Sequence, residues 1–137
     1  MTPLAEVLND LGATSGTVHR CEGEVLTLVD AVGIPADVLA LIKVIPNGKG
    51  MAGEAWSRGE PVTSCNLPDD PSEIIQPGAR RVNAHTAVAI PVRSSRDGML
   101  AVVGFAFAED SPLDAERMDT LTSAARRLVS RQVGALS

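Results

Sequence analysis

The chain has 137 residues, 45% of them apolar, with twelve Lys and Arg against seventeen Asp and Glu for a net charge of −5. Aromatics are confined to Trp56, Phe105 and Phe107, so the chain lacks the basic groove and stacking platforms that single-stranded nucleic acid requires. The length suits one domain spanning 1–137, the ordinary hydrophobic content excludes disorder, and no apolar run approaches the ~18 residues of a membrane span.

The start, MTPLAEVLND, has no positive segment followed by an apolar one. A cytoplasmic protein is therefore expected, with Cys21 and Cys65 as reduced thiols. Leu4, Val7, Leu8 and Leu11 form one helical stripe over residues 3–11, with Gly12 as the stop. TSGTVHRC reads as a strand. Glu22-Gly23 turns it into a second strand, EVLTLVDAVG, with Leu26, Leu28 and Val32 expected on one face. Pro35 opens a short helix, ADVLALIK, since a first turn does not need the missing N–H. Asn47-Gly48-Lys49-Gly50 is a Gly-rich loop leading into the helix MAGEAWSRG, and Pro61 begins a strand, PVTSC.

The stretch NLPDDPSEIIQPGARRVNAH has three prolines and no sustained periodicity, and reads as a long loop with one helical turn at 72–75. TAVAIPVRSS and MLAVVGFAFAE flank Arg96-Asp97-Gly98, a hairpin signal. Val88, Ile90 and Val92 oppose Ala87, Ala89 and Pro91. Met99, Val103, Phe105 and Phe107 oppose Leu100, Val102, Gly104 and Ala106. Both faces are apolar, which predicts central strands covered on both sides. A last helix over about 112–133 is expected, with Ser111 as cap and Pro112 first. Its Met118, Leu121, Ala125 and Leu128 form a narrow seam suited to packing on another helix. The order predicts an α+β fold: an antiparallel sheet of five to six strands, terminal helices on one face, loops and short helices covering the other.

In this order the residues resemble the GAF domain family, a sensory fold related to PAS domains. The resemblance rests on Gly33-Ile34-Pro35, on Ile45-Pro46-Asn47-Gly48-Lys49-Gly50-Met51-Ala52-Gly53-Glu54-Ala55, on Gly59-Glu60-Pro61-Val62, on Ala87 to Val92, and on the Gly104 strand before the last helix. It implies a small-molecule pocket on the sheet face away from the terminal helices, and a homodimer formed through those helices. Small anion-sensing GAF proteins share the G-K-G-x-A-G loop, and the resemblance places the backbone at Met51 and Ala52 against the ligand.

Two readings stay open at that loop. Its glycines let unpaired N–H groups at the helix start meet an anion, or they only make the turn that lays the helix on the sheet. Arg80, Arg81, Asn83, His85 and Thr86 gather donors before a central strand and suit an oxyanion or carboxylate. Alternatively, the two Arg are solvated charges balancing Asp69, Asp70 and Glu73. Trp56 is either a pocket wall or a core anchor. His19, in mid-strand, reads as a cross-strand neighbour rather than a ligand. His19, Cys21, Cys65 and His85 lack metal-ligand spacing, so neither a metal nor a cofactor is expected.

The favoured function is a cytoplasmic, non-enzymatic sensor that holds a small polar or anionic molecule and signals to a partner such as a kinase or regulator. The alternative is a ligand-free scaffold whose pocket has filled and whose terminal seam binds a partner. A thiol-dependent methionine sulfoxide reductase, another GAF activity, is disfavoured. Met51 or Ala52 stands where that branch has one cysteine, and the stretch ending at His85 offers no thiol.

Overall fold

Alternation of large and small side chains along the strands decides which layer covers which face. The computed structural model describes residues 3–65, 86–94, 98–108 and 113–132. The elements are α1 (Pro3–Leu11), β1 (Ser15–Glu22), β2 (Val25–Val32), α2 (Ala36–Ile42), β3 (Val44–Pro46) and α3 (Gly50–Arg58), followed by β4 (Val62–Cys65), β5 (Thr86–Ser94), β6 (Gly98–Phe107) and α4 (Ala115–Gln132). The six strands form one antiparallel sheet in the order β3-β2-β1-β6-β5-β4.

The bulky set of β5 and β6, Val88, Ile90, Val92, Val103, Phe105 and Phe107, faces α1 and α4. There it meets Leu4, Leu8, Leu121, Ala125 and Leu128, all buried. Each large aliphatic side chain buried in this way contributes about 1.5–3 kcal/mol, which makes this layer the main source of stability. The opposite face carries a smaller core of Leu26, Ile45, Ala55, Val62, Ala89 and Val102, closed by Met51, Ala52 and Trp56 of α3. The α+β class, the antiparallel sheet and the helices at the chain ends agree with the sequence pattern. None of the described helices is long and apolar enough to cross a membrane.

Four details differ from expectation. A three-residue strand, β3, completes the sheet edge; three residues are too few to show a period of two. Across from Val18 and His19 of β1, the β2 register shifts, pairing Val18 with Asp30 and His19 with Leu28. Val29 is the extra residue of this bulge. Leu26 therefore packs in the smaller core and Val32 against the terminal-helix layer, not on one face together. The last helix begins at Ala115 and is capped by Asp114, whose Oδ1 accepts from the Arg117 N–H at 2.8 Å, while the expected start at Ser111 and Pro112 lies outside the described residues. The seam of α4 packs on a helix as expected, but on α1 of the same chain. Arg117 donates to the Leu11 carbonyl (2.8 Å) and lies over the Phe107 ring, while Gln132 donates to Asp30 Oδ2 (2.9 Å), tying α4 to α1, β6 and β2. The expected helical turn at 72–75 and the turn residues Arg96 and Asp97 lie outside the described residues.

Candidate functional site

The sheet face away from α1 and α4 is floored by small residues. Ala87 and Ala89 of β5 and Gly104 and Ala106 of β6 fall there because they alternate with the bulky set. Where a large side chain would fill the space, they leave a cavity of about 150 Å³. Ile34, Val38, Ile42 and Ile45 form an apolar wall, and the first three residues of α3, Gly50, Met51 and Ala52, form another.

The third wall is polar. Ser15, Thr17, His19 and Cys21 occupy alternate positions of β1, and the first three line the cavity. β1 is paired on both sides, so its backbone is satisfied while these side chains point into a buried face. His19 is only 1% exposed. Its Nε2 lies 2.8 Å from the Ile42 carbonyl oxygen. That oxygen only accepts, so Nε2 carries the hydrogen and donates. Nδ1 of the same ring and Ser15 Oγ are both buried and have no hydrogen-bond partner among the described residues. Burial holds the His19 pKa below its usual 6.5, and the bond to the Ile42 carbonyl only partly offsets this. The ring is therefore neutral at pH 7. Cys21, half-buried and paired opposite Leu26, has its thiol pushed up to about 11 by burial, far from the lowered values of reactive thiols.

Glycine geometry places α3. Gly48 and Gly50 have φ of +85° and +65°, in the left-handed region that favours glycine. Gly53 is needed for a different reason: a Cβ there would lie 2.8 Å from the Pro46 carbonyl oxygen and 3.0 Å from Gly48 N. The Gly48 N–H donates to the Gly53 carbonyl at 3.1 Å, closing the loop onto the helix. Lys49 is the N-cap, and its ammonium group has no acceptor to offer the first α3 amides.

Of the residues singled out in the sequence, Met51 and Ala52 line the cavity. Trp56 packs in the smaller core with Ile42 and Met51 and is not among the lining residues. Thr86 is fully buried at the start of β5, opposite Phe107, on the terminal-helix face by strand alternation. Arg80, Arg81, Asn83 and His85 lie outside the described residues. Ser15, Thr17 and His19 were not foreseen as a cavity wall, although their period of two was visible. Polar alternation normally marks a solvent face, and here that face lies under α2. No group of His, Cys, Asp and Glu among the described residues is placed to hold a metal.

A six-stranded antiparallel sheet with the terminal helices behind it and short helices over a small-residue floor defines a GAF-type α+β fold. The chain belongs to the GAF domain family, whose model matches residues 3–129. Among solved structures it is similar to the reduced form of fRMsr of Staphylococcus aureus (20% identity, TM-score 0.71, covering 96% of this chain and 79% of that one). The GAF domain of a phosphoenolpyruvate-protein phosphotransferase from Coxiella burnetii is also similar (17%, TM-score 0.73, 92% and 75%). So is a type II free methionine-R-sulfoxide reductase from Thermoplasma acidophilum (16%, TM-score 0.72, 95% and 89%). At these identities the likeness speaks for the fold alone. Comparison with curated protein sequences gives no significant match.

Proposed function

We propose that this GAF chain is a cytoplasmic, non-enzymatic sensor that holds a small polar or anionic molecule in the cavity between the sheet and helices α2 and α3. One observation carries the reading. Two residues of the cavity wall, Ser15 and His19, bury polar atoms, Oγ and Nδ1, that have no partner among the described residues. Burying a polar group unpaired costs about 1–3 kcal/mol, so such a wall is retained at a cost that a bound guest offsets. The α3 start, whose first three residues line the same cavity, supports an acceptor or anion there, because the first amides of a helix lack intrahelical acceptors and the helix dipole favours negative charge. A cavity of this volume suits a guest of roughly six non-hydrogen atoms, the size of benzene, and is too small for a nucleotide or tetrapyrrole.

Signalling through a homodimer of the terminal helices is part of the same proposal. Leu121, Ala125 and Leu128 are already buried against the chain's own α1, so the pairing would use the outward faces of α1 and α4. Native mass spectrometry of gently purified protein, followed by calorimetric titration with nitrate, phosphate and small carboxylates, tests the reading. A co-purifying mass or a saturable heat is expected. Absence of both overturns the sensor in favour of a ligand-free scaffold.

The fold shared with fRMsr structures supports a second reading, a thiol-dependent reductase. It is disfavoured by Cys21, whose thiol stays protonated at neutral pH. Formation of methionine from free methionine-R-sulfoxide and excess dithiothreitol would establish the reductase.

A further inference from the structure

We infer that the cavity takes a small hydrocarbon body carrying a single oxygen, the body against Ile34, Val38, Ile42 and Ile45 and the oxygen on the Thr17 hydroxyl. This inference rests on the small-molecule reading above and narrows it to a class of guest. It draws on neither the α3 start nor the buried polar atoms of Ser15 and His19.

Thr17 differs from its neighbours on the polar ladder of β1. Ser15 and His19 are 2% and 1% exposed, whereas Thr17 is half-buried and its hydroxyl is not among the fully buried polar atoms. It lines the cavity and makes no side-chain hydrogen bond among the described residues. A hydroxyl both donates and accepts, so it can meet a hydroxyl or a carbonyl oxygen. The partner strand leaves it room. Gly104 of β6 stands directly opposite Thr17 in the ladder, and a Cβ there would lie 2.9 Å from Thr17 Oγ1. Gly104 does not have the positive φ that would demand glycine, and its other side pairs with Ala89. Glycine weakens the interior of a strand, and in such a place it often marks a close approach by a ligand or another group. Here the missing side chain keeps the Thr17 hydroxyl uncovered on the cavity floor.

The wall around α2 is carbon. Val38 and Ile45 are buried, but Ile34 and Ile42 are only half-buried and have apolar surface still to cover. Covering it favours a hydrocarbon body, because removing apolar surface from water is the gain that such a wall offers. A guest of the same size made mostly of hydroxyls would lose its hydration against that wall and gain nothing in return. The volume of about 150 Å³ accommodates roughly six non-hydrogen atoms. About five carbons and one oxygen, in a small ring or a short branched chain, fill it with the oxygen left for Thr17.

The experiment titrates the full chain with probes of equal heavy-atom count: cyclopentanol, methylcyclopentane and glycerol. Methyl spectra of ¹³C-alanine-labelled protein report binding at Ala87, Ala89 and Ala106 of the floor. Both ring compounds should give saturable shifts there, and glycerol none at the same concentration. Thr17→Val keeps the side-chain shape and removes the hydroxyl. It should weaken cyclopentanol about 5- to 20-fold, the worth of one hydrogen bond, and leave methylcyclopentane within about twofold. If this variant does not fold, nuclear Overhauser contacts in the unmodified protein replace it. The carbinol proton of cyclopentanol should then lie against Thr17, and its ring protons against Ile34 and Val38. An equal effect of Thr17→Val on both ring compounds, including none, overturns the inference. So does the reverse orientation in the Overhauser contacts, or tighter binding of glycerol than of cyclopentanol. Binding of nitrate or phosphate, with neither ring compound bound, overturns it while leaving the sensor reading intact. Failure of every small molecule, including any co-purifying mass, overturns both.

Discussion

Gly53→Ala should destabilise the protein, although alanine is the better helix former. Position 53 lies in the first turns of α3, where replacing glycine normally gains about 1 kcal/mol of helix propensity. Here the added Cβ would sit 2.8 Å from the Pro46 carbonyl oxygen, 3.0 Å from Gly48 N and 3.2 Å from the Gly48 carbonyl carbon. All three are backbone atoms, so no rotamer change relieves the contact. The helix must move away from the β3 end and the loop. Overpacking of this kind costs about 1–3 kcal/mol, and after the propensity gain the net loss is about 1 kcal/mol. For a chain of 137 residues that lowers the melting temperature by about 3–5 °C. Thermal melts followed by far-UV circular dichroism read the effect directly. The sign decides the matter: an unchanged or raised melting temperature would show that α3 does not approach Pro46 and Gly48 this closely. Because Met51 and Ala52 ride on the same turn, the displacement should also weaken whatever binds at the α3 start.

Other changes test the polar wall and its surroundings. Ser15→Ala removes a buried hydroxyl with no partner among the described residues and should raise the unliganded stability by about 1 kcal/mol in urea unfolding; a loss of that size would mean the hydroxyl is paired in the folded chain. The depressed pKa of His19 means that the unfolded chain binds a proton the folded chain refuses. Its contribution to stability is full above the ordinary value of 6.5 and is lost as pH falls below it, toward the lower folded-state value. Urea midpoints at several pH values should show that limb in the unmodified protein and a flatter one in His19→Gln. Ala106→Leu puts side-chain carbons into the cavity. The apolar gain and the packing strain should offset each other to within about 1 kcal/mol, while any titration heat disappears. Cys21, with its thiol raised from 9.0 to about 11, should react with iodoacetamide about 100-fold more slowly than an exposed cysteine at neutral pH, as read by mass spectrometry of its peptide. Reaction at the free rate would show that the Cys21 thiol is not held protonated by burial.

The two faces of β5 and β6 were largely readable, because a period of two with apolar side chains on both sides has few other solutions; Leu100, expected opposite Val103, Phe105 and Phe107, instead packs against their core, at the end of the ladder where the register shifts between Val92 and Arg93. The cavity floor was contained in the same pattern: Ala87, Ala89, Gly104 and Ala106 are the small members of those alternations, and small residues on one face make a hollow once a helix spans it. The register of β2 was not readable. Nothing in EVLTLVDAVG marks Val29 as an extra residue, since bulge formation depends on what β1 offers across the ladder. The true cap of α4 was hidden by a competing signal, as Ser111-Pro112 and Asp114 both fit a helix start. His19 was read as an ordinary cross-strand residue because a lone histidine in a strand has no signature. Its role depends on Ile42, 23 positions away, taking one ring nitrogen and leaving the other.

The placement of the polar ladder on β1 has a physical logic. A binding wall needs side chains held more rigidly than loops hold them, and the centre of a sheet is the stiffest position available. β1 is paired along its length to both β2 and β6, so its backbone requires nothing from the cavity. Its other face is anchored by Val18, fully buried in the terminal-helix core. The strand can therefore carry Ser15, Thr17 and His19 on the cavity side without losing its own packing. The cost appears as unsatisfied polar atoms rather than as disorder.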